Sequence, residues 1–391
     1  MIQTLPEEFI RLFGRRGEAL FFAPGRVNLI GEYTDISGGH VLPCALAQGT
    51  YGLAARRDDG RLRFYSLNFA ADGLIETRTV DLAPGRALGW AVYPAGVADR
   101  LRRRGLPGDG GLDVLYYGDL PPGAGLSSSA SIEVLTAVIL NDFYDLGLGL
   151  LDLALAAQEA ENEFAGLACG IMDQFASALG RPGQAILLNC GDLSHQYRPF
   201  RSGEVGLVIA DTLKRRALAE SKYNQRRAEC EAALAALKTR RPLSNLCDLD
   251  PDEFESLLED LVIAPPEAGR RARHVIGENR RTLSAAEALD RGDFAEFGRL
   301  LNASHHSLAH DFEVTGPELD ALAEAARSAP GCLGSRMTGA GFGGCVVSLV
   351  YREAIPDFQR ETAARYEQQT GRRPLFYPAE ASAGAGKLET L

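Results

Sequence analysis

Gly123-Ala124-Gly125-Leu126-Ser127-Ser128-Ser129-Ala130-Ser131 is the stretch on which the reading of this chain turns. The apolar run Leu112-Asp113-Val114-Leu115-Tyr116-Tyr117 before it predicts a strand. Ile132-Glu133-Val134-Leu135-Thr136-Ala137-Val138-Ile139-Leu140 after it predicts a buried helix. Glycines and serines therefore stand where free backbone N–H groups and the positive end of a helix dipole meet, which favours an anion. Glycine admits a phosphate close to the backbone, and serine adds hydroxyl donors and a possible metal ligand. The segment is neither G-x-x-x-x-G-K-[ST] nor G-x-G-x-x-G, so the nucleotide site it suggests is neither a P-loop nor a Rossmann turn. Taken alone, it also fits a Gly/Ser loop capping an ordinary helix.

Working outward, the 391 residues suffice for two domains and a large core. A net charge of −11 argues against a non-specific nucleic-acid surface. No apolar run approaches the roughly 20 residues needed to span a bilayer. Met1 to Glu8 has neither the basic nor the apolar region of a secretory signal, so none is expected. Seven cysteines, with no C-x-x-C pair, suit the reduced thiols of a cytoplasmic protein better than a disulfide frame or a zinc site. Arg100-Leu101-Arg102-Arg103-Arg104 before Gly105 reads as a solvated helix C-terminus.

The first half mixes strands with glycine-rich loops: strands at 41–56, 62–67 and 184–190, and helices at 90–103 and 151–164. The second half opens with a strand at 205–211. Helices follow at 214–238, 251–261, 266–291, 293–309 and 316–328, then a strand at 344–351, a helix at 353–370 and a strand at 374–377. Thr315-Gly316-Pro317-Glu318 has the pattern of a capping box. The small, polar tail after Ala379 is expected to fray. A two-domain α+β protein with its site between the domains is expected.

Three further motifs carry chemistry. In Pro24-Gly25-Arg26-Val27-Asn28-Leu29-Ile30-Gly31-Glu32-Tyr33-Thr34-Asp35-Ile36-Ser37-Gly38-Gly39-His40, Glu32 and Asp35 on a glycine-framed loop suit sugar hydroxyls. Arg26 suits a phosphate or a carboxylate. A surface turn with chance charges is the plainer reading. In Glu161 to Phe175, Asp173 lies among apolar residues after Gly170, a costly placement unless the carboxylate is paired or hydrogen-bonded. A helix-capping aspartate is its alternative. Glu161 with a serine hydroxyl makes a partial shell for Mg²⁺, which takes few protein oxygens. Gly339-Ala340-Gly341-Phe342-Gly343-Gly344 implies close backbone approach to a ligand or to another loop, or simply a strand-entry turn.

In this order the motifs resemble those of the GHMP small-molecule kinases, and within them the galactose-phosphorylating branch. Pro24 to Glu32 with Thr34-Asp35 is similar to that branch's signature, Gly125 to Ala130 to the family phosphate loop, and Met337 to Gly344 to its C-terminal glycine motif. Cys169 to Phe175, Tyr223 to Cys230, Ser304 to Leu308 and Asp311 to Val314 also resemble segments of that branch, so the likeness spans about 20–380. It implies a two-domain GHMP kinase fold. A ribosomal-S5-like α+β domain over 1–195 would be followed by a ferredoxin-like α+β domain over 196–391, with the active site between them.

The resemblance also implies roles. Asp173 would be the catalytic carboxylate facing the sugar C1 hydroxyl, and Arg26 would stabilise the transferring phosphoryl group. Glu32, Tyr33, Thr34, Asp35, Gly170 and Tyr223 would join Asp173 around galactose. Gly123, Ala124, Gly125, Leu126, Ser127, Ser128 and Ser129 would wrap the ATP phosphates. Ser129 and Glu161 would hold Mg²⁺. Trp90 and Tyr93, with Ser66 nearby, would flank the adenine, although their three-residue spacing also fits plain helix packing. A monomer is implied, with neither nucleic acid nor membrane as partner.

The branch commonly carries His before the Thr-Asp pair, and Tyr then Asn before the Gly-Gly pair. Tyr33, Ile36 and Ser37 stand there in this chain. The first of these positions lies beside the sugar C6 hydroxyl in the family, and tyrosine cannot become cationic there. Another sugar of the same family, such as L-arabinose or N-acetylgalactosamine, is therefore the alternative substrate. A non-catalytic galactose sensor is the alternative of another class.

Overall fold

A computed structural model of the chain describes residues 2–85, 87–121, 124–200, 203–214, 219–259 and 261–390. In chain order the first half contains α1 (Leu5–Phe13), β1 (Ala19–Asn28), β2 (His40–Val41), β3 (Pro43–Arg57), β4 (Arg61–Ser66), β5 (Ile75–Arg78), α2 (Val92–Arg102) and β6 (Gly111–Gly118). It continues with α3 (Ser128–Phe143), α4 (Leu150–Glu159), α5 (Met172–Leu179), β7 (Gln184–Asn189) and β8 (His195–Pro199). The second half contains β9 (Val205–Asp211), α6 (Ala219–Leu237), α7 (Pro251–Leu258), α8 (Pro266–Arg291), α9 (Phe294–Ser307) and α10 (Pro317–Arg327). β10 (Cys332–Thr338), β11 (Cys345–Tyr351), α11 (Ile355–Thr370), β12 (Leu375–Ala379) and β13 (Gly386–Thr390) complete it.

The strands form a six-stranded sheet ordered β13-β1-β3-β6-β4-β5, a four-stranded sheet β10-β11-β9-β12 and a three-stranded sheet β2-β7-β8. Helix α3 packs on the large sheet because its face through Val134, Ala137, Val138 and Leu140 is apolar and buried against Phe21, Ala54 and Val114. A second core joins the halves: Val27, Leu42 and Leu126 pack with Leu207, Ala285 and Val347. The loop beside that junction thus sits on a rigid base.

Most predicted elements form close to the expected boundaries, α8 over the expected 266–291. Residues 215–218 of the helix expected from 214 lie outside the described residues. Three expectations are corrected. The tail does not fray: β13 pairs antiparallel with β1, Ala19 facing Thr390, because the edge of β1 offers unpaired backbone groups. Thr315 is not a helix cap. Gly316 occupies that position without a side-chain cap, and Pro317 starts α10. Arg100 is not solvated: it is buried and ion-paired with Asp99 and Glu163, since a guanidinium inside needs carboxylates. Arg26 lies near the end of β1, a strand for which no element was expected, and faces Ala45 of β3.

Candidate active site

β1 delivers Arg26 to the mouth of the junction, and α5 delivers Asp173 from its first turn. Arg26 Nε donates to Asp173 Oδ1 at 2.8 Å and Nη2 to Oδ2 at 3.0 Å, a two-pronged ion pair. The remaining prong, Nη1, donates to the Gly125 carbonyl at 2.8 Å. One guanidinium thus ties the carboxylate to the glycine-serine loop. That loop reaches β1 only because position 25 is glycine: a Cβ there would stand 2.5 Å from the Leu126 carbonyl oxygen. Ala124 and Leu126 bury their side chains in the junction core.

Ser127 sits just before α3 with φ of 63°, and its hydroxyl donates to Asp173 Oδ2 at 2.6 Å. The hydroxyl of this expected phosphate-loop residue thus reaches the carboxylate of Asp173. Ser128 and Ser129 open the first turn of α3, where backbone N–H groups lack helical partners. Gly123 lies outside the described residues.

A cavity of about 550 Å³ opens beside this pair. Arg26, Glu32, Tyr33, Asp35, Gly170, Asp173 and Tyr223 all line it. Thr34 does not: it is buried, with its hydroxyl between the carbonyls of Gly31 (2.8 Å) and His40 (2.6 Å). A Cβ at Gly170 would come within 2.0 Å of Asp35 Oδ2, so any larger residue there displaces the Asp35 side chain. Burial, then the nearby Asp173 and Glu32, push the Asp35 carboxyl up to about 7. Burial and the neighbouring Asp35 push the Tyr223 phenol well up, so it stays protonated.

Glu32 is buried and tightly held. Gly339 N–H donates to its Oε1 at 2.6 Å, Arg336 Nη2 lies 3.0 Å from Oε2, and the Asn28 amide donates to Oε2. Burial raises its pKa against the opposing pull of Arg336. Sequence reasoning missed Asn28 and Arg336. The available signal was the arginine of Ser335-Arg336-Met337, three residues before Gly339. Tyr33 donates to the Ala340 carbonyl at 2.6 Å, and its ring packs on Phe312 and Tyr223. The glycine motif therefore closes on the signature loop.

Glu161 lies in a π-helical turn, Ala160–Ala165, a distortion frequent at functional sites. Its Oε2 accepts from Gln174 Nε2 at 2.6 Å and the Cys169 thiol at 3.3 Å, and the carboxylate is also bonded to Ser129. Ser129 and Glu161 are thus brought together. Among the described residues no group of three or more His, Cys, Asp or Glu could hold a metal. A carboxylate with one hydroxyl fits a hard cation that takes its other oxygens from phosphate and water.

Trp90 and Ser66 each neighbour Tyr116 near the end of β6. Trp90 stacks on Phe69 (6.2 Å) and meets Tyr116 edge-on (5.8 Å), while its buried indole N–H has no hydrogen-bond partner. Ser66 caps the turn that carries Phe69, accepting from Asn68 N–H at 3.3 Å, and Tyr93 is half-buried at the start of α2.

The family model for the galactokinase galactose-binding signature matches residues 7–56, that for the GHMP kinases N terminal domain matches 92–181, and that for GHMP kinases C terminal matches 285–368. The chain is 48% identical over 388 residues to a galactokinase of Clostridium acetobutylicum, covering 99% of both. It is 49% identical over 388 residues to one of Enterococcus faecalis, covering 99% of this chain and 100% of that one. It matches the crystal structure of Lactococcus lactis galactokinase complexed with galactose with a TM-score of 0.96 at 41% identity, over 99% of this chain and 100% of that one. Mevalonate kinase of Methanococcus jannaschii shares the fold, with a TM-score of 0.66 at 15% identity over 94% of this chain and 99% of that one.

Proposed function

We infer the working of this chain from its family: it belongs to the galactokinases, the GHMP-family ATP-dependent sugar kinases. The reaction is ATP + α-D-galactose → ADP + α-D-galactose 1-phosphate. Phosphoryl transfer of this kind asks the protein for alignment and charge neutralisation more than for covalent chemistry. The observation that carries the assignment of roles is the two-pronged Arg26–Asp173 pair, with Arg26 also bonded to the phosphate loop.

Asp173 accepts the proton of the C1 hydroxyl as the oxygen attacks phosphorus. Arg26 grips that carboxylate through two N–H groups and presents positive charge to the transferring group, while Ser127 holds the carboxylate plane. Glu32, Asp35 and Tyr223 take the other sugar hydroxyls, and Gly170 makes room for them. Glu32 acts with Oε1 already on Gly339 and Oε2 on Arg336 and Asn28, so it is a preset acceptor rather than a mobile one. The N–H groups opening α3 receive the phosphates, and Trp90, Tyr93 and Ser66 flank the adenine. Glu161 and Ser129 would hold Mg²⁺, which supplies charge neutralisation on the phosphate oxygens when bound. Thr34 serves through the loop it braces.

We further propose that residues 1–195 and 196–391 act as the two domains, with β13 returning to the first. A monomeric enzyme in the reducing cytoplasm is proposed on its seven free thiols and the resemblance already stated. Among the described residues no helix is long and apolar enough to cross a membrane.

The test is ADP release with Mg-ATP across galactose, 2-deoxygalactose, N-acetylgalactosamine, L-arabinose, D-fucose and glucose. Galactose is expected to turn over best. Equal turnover with D-fucose or L-arabinose would move the substrate assignment away from galactose.

A further inference from the structure

One buried carboxylate of the site region has no part in the reaction as described. Glu133 is fully buried on α3, one turn beyond Ser129, within an otherwise apolar run. Gln174, also fully buried, follows Asp173 in the first turn of α5. A primary amide has two N–H groups. Gln174 places its Nε2 3.0 Å from Glu133 Oε2 and 2.6 Å from Glu161 Oε2. The other oxygens of this pair, Glu133 Oε1 and Gln174 Oε1, are buried with no hydrogen-bond partner.

Two buried carboxyl groups on one amide is a costly arrangement that needs a reason. Its effect is directional. Glu161 Oε2 is committed to Gln174 and Cys169, whereas Oε1 accepts from neither, so Oε1 is the oxygen this arrangement directs elsewhere. The same contact joins three elements: α3 with Ser129, α5 with Asp173, and the π-helical turn with Glu161.

We propose that Gln174 and Glu133 are positioning residues for the cation site: Glu133 anchors one N–H of the Gln174 amide, so that the other fixes the rotamer of Glu161 and turns its free oxygen toward Ser129. This rests on the assignment of Glu161 as a cation ligand. Outer partners of this kind typically change metal affinity about 10- to 100-fold when removed.

The test is Mn²⁺ binding, followed by electron paramagnetic resonance, to the enzyme with the non-hydrolysable ATP analogue AMP-PNP. Galactose binding without nucleotide or metal is measured beside it by calorimetry. Gln174→Met removes both N–H donors and is expected to weaken Mn²⁺ binding about tenfold or more while galactose affinity stays within about twofold. Glu133→Leu is expected to act the same way, and Glu133→Gln, which keeps an acceptor for the amide, is expected to restore binding to within about threefold of wild type. Glu161→Gln is the control. If Glu161→Gln loses Mn²⁺ and Gln174→Met does not, the positioning role is overturned and the ligand assignment stands. If Glu161→Gln binds Mn²⁺ normally, the ligand assignment falls and the positioning role with it. If Mn²⁺ and galactose affinities fall together in Gln174→Met and Glu133→Leu, the residues are merely structural and the proposal is overturned.

Discussion

Arg26 and Asp173, 147 residues apart in sequence, meet through two parallel N–H···O contacts of 2.8 and 3.0 Å. The pair joins the end of a sheet strand to the first turn of a helix, and Ser127 of the glycine-serine loop completes it. A carboxylate so held is aligned before substrate arrives, which is where enzymes gain most from fixed charges.

Asp173→Asn keeps the shape of the side chain and removes its basicity. Turnover is expected to fall about a thousandfold, within the range of lost general-base catalysis. Galactose binding, measured by calorimetry, is expected to survive within about tenfold, the value of roughly one hydrogen bond. Near-wild-type turnover would remove Asp173 from the chemistry.

Arg26→Lys keeps the charge and loses the fork. Lysine cannot reach both carboxylate oxygens and the Gly125 carbonyl together, so kcat is expected to drop about a hundredfold or more. ADP-release kinetics at saturating galactose would check it, and a change confined to the KM for galactose would contradict the placement.

Gly170→Ala puts a methyl group against Asp35 Oδ2, the contact of 2.0 Å noted above. Asp35 has to move, so KM for galactose is expected to rise about tenfold or more, about 1.4 kcal/mol, with KM for ATP nearly unchanged. Unaltered galactose kinetics would show that Asp35 does not bind the sugar.

The Asp35 carboxyl, pushed up to about 7 from an ordinary 3.8, binds its proton more tightly in the folded protein than in the unfolded chain. The resulting stabilisation is complete below about pH 4 and is lost as pH rises through about 7. Asp35→Asn cannot titrate. The stability of wild type relative to Asp35→Asn, from urea unfolding, is therefore expected to fall across that interval, by at most about 1.4 kcal/mol per pH unit. A difference that stays flat with pH would show that Asp35 ionises normally.

Trp90 is the one tryptophan of the chain, and its buried indole N–H lacks a partner. Its fluorescence is expected to change on addition of ADP and to stay nearly constant on addition of galactose. Trp90→Ala is expected to raise KM for ATP about tenfold, the scale of one lost base–aromatic stack. An emission response to galactose alone would move the adenine site elsewhere.

Much of the site was legible in residue order. Gly/Ser between an apolar strand and an apolar helix is a local pattern, and local patterns are set by backbone conformation and the hydrogen-bonding needs of a helix start. Asp173 stood out because an unpaired carboxylate among apolar neighbours is costly. Glu133 carried the same signal, one charge inside an apolar helix, yet its partners belong to other elements and cannot be read from its neighbours. The likeness to the family then set the roles side by side, but it could not say that Thr34 faces the loop rather than the cavity.

The sequence by itself determined many of the elements, though not β1 or α5, together with the place of the glycine-serine loop and the identity of the charged groups, since periodicity and turn chemistry act over a few residues. Only the tertiary structure decided which charges meet. It decided that Glu32 bonds Gly339, 307 residues away, that Ser127 turns to Asp173, and that residues 386–390 return as an edge strand beside β1. Such pairings depend on chain segments brought together by burial of the cores, and burial rewards total apolar contact without regard to distance along the chain.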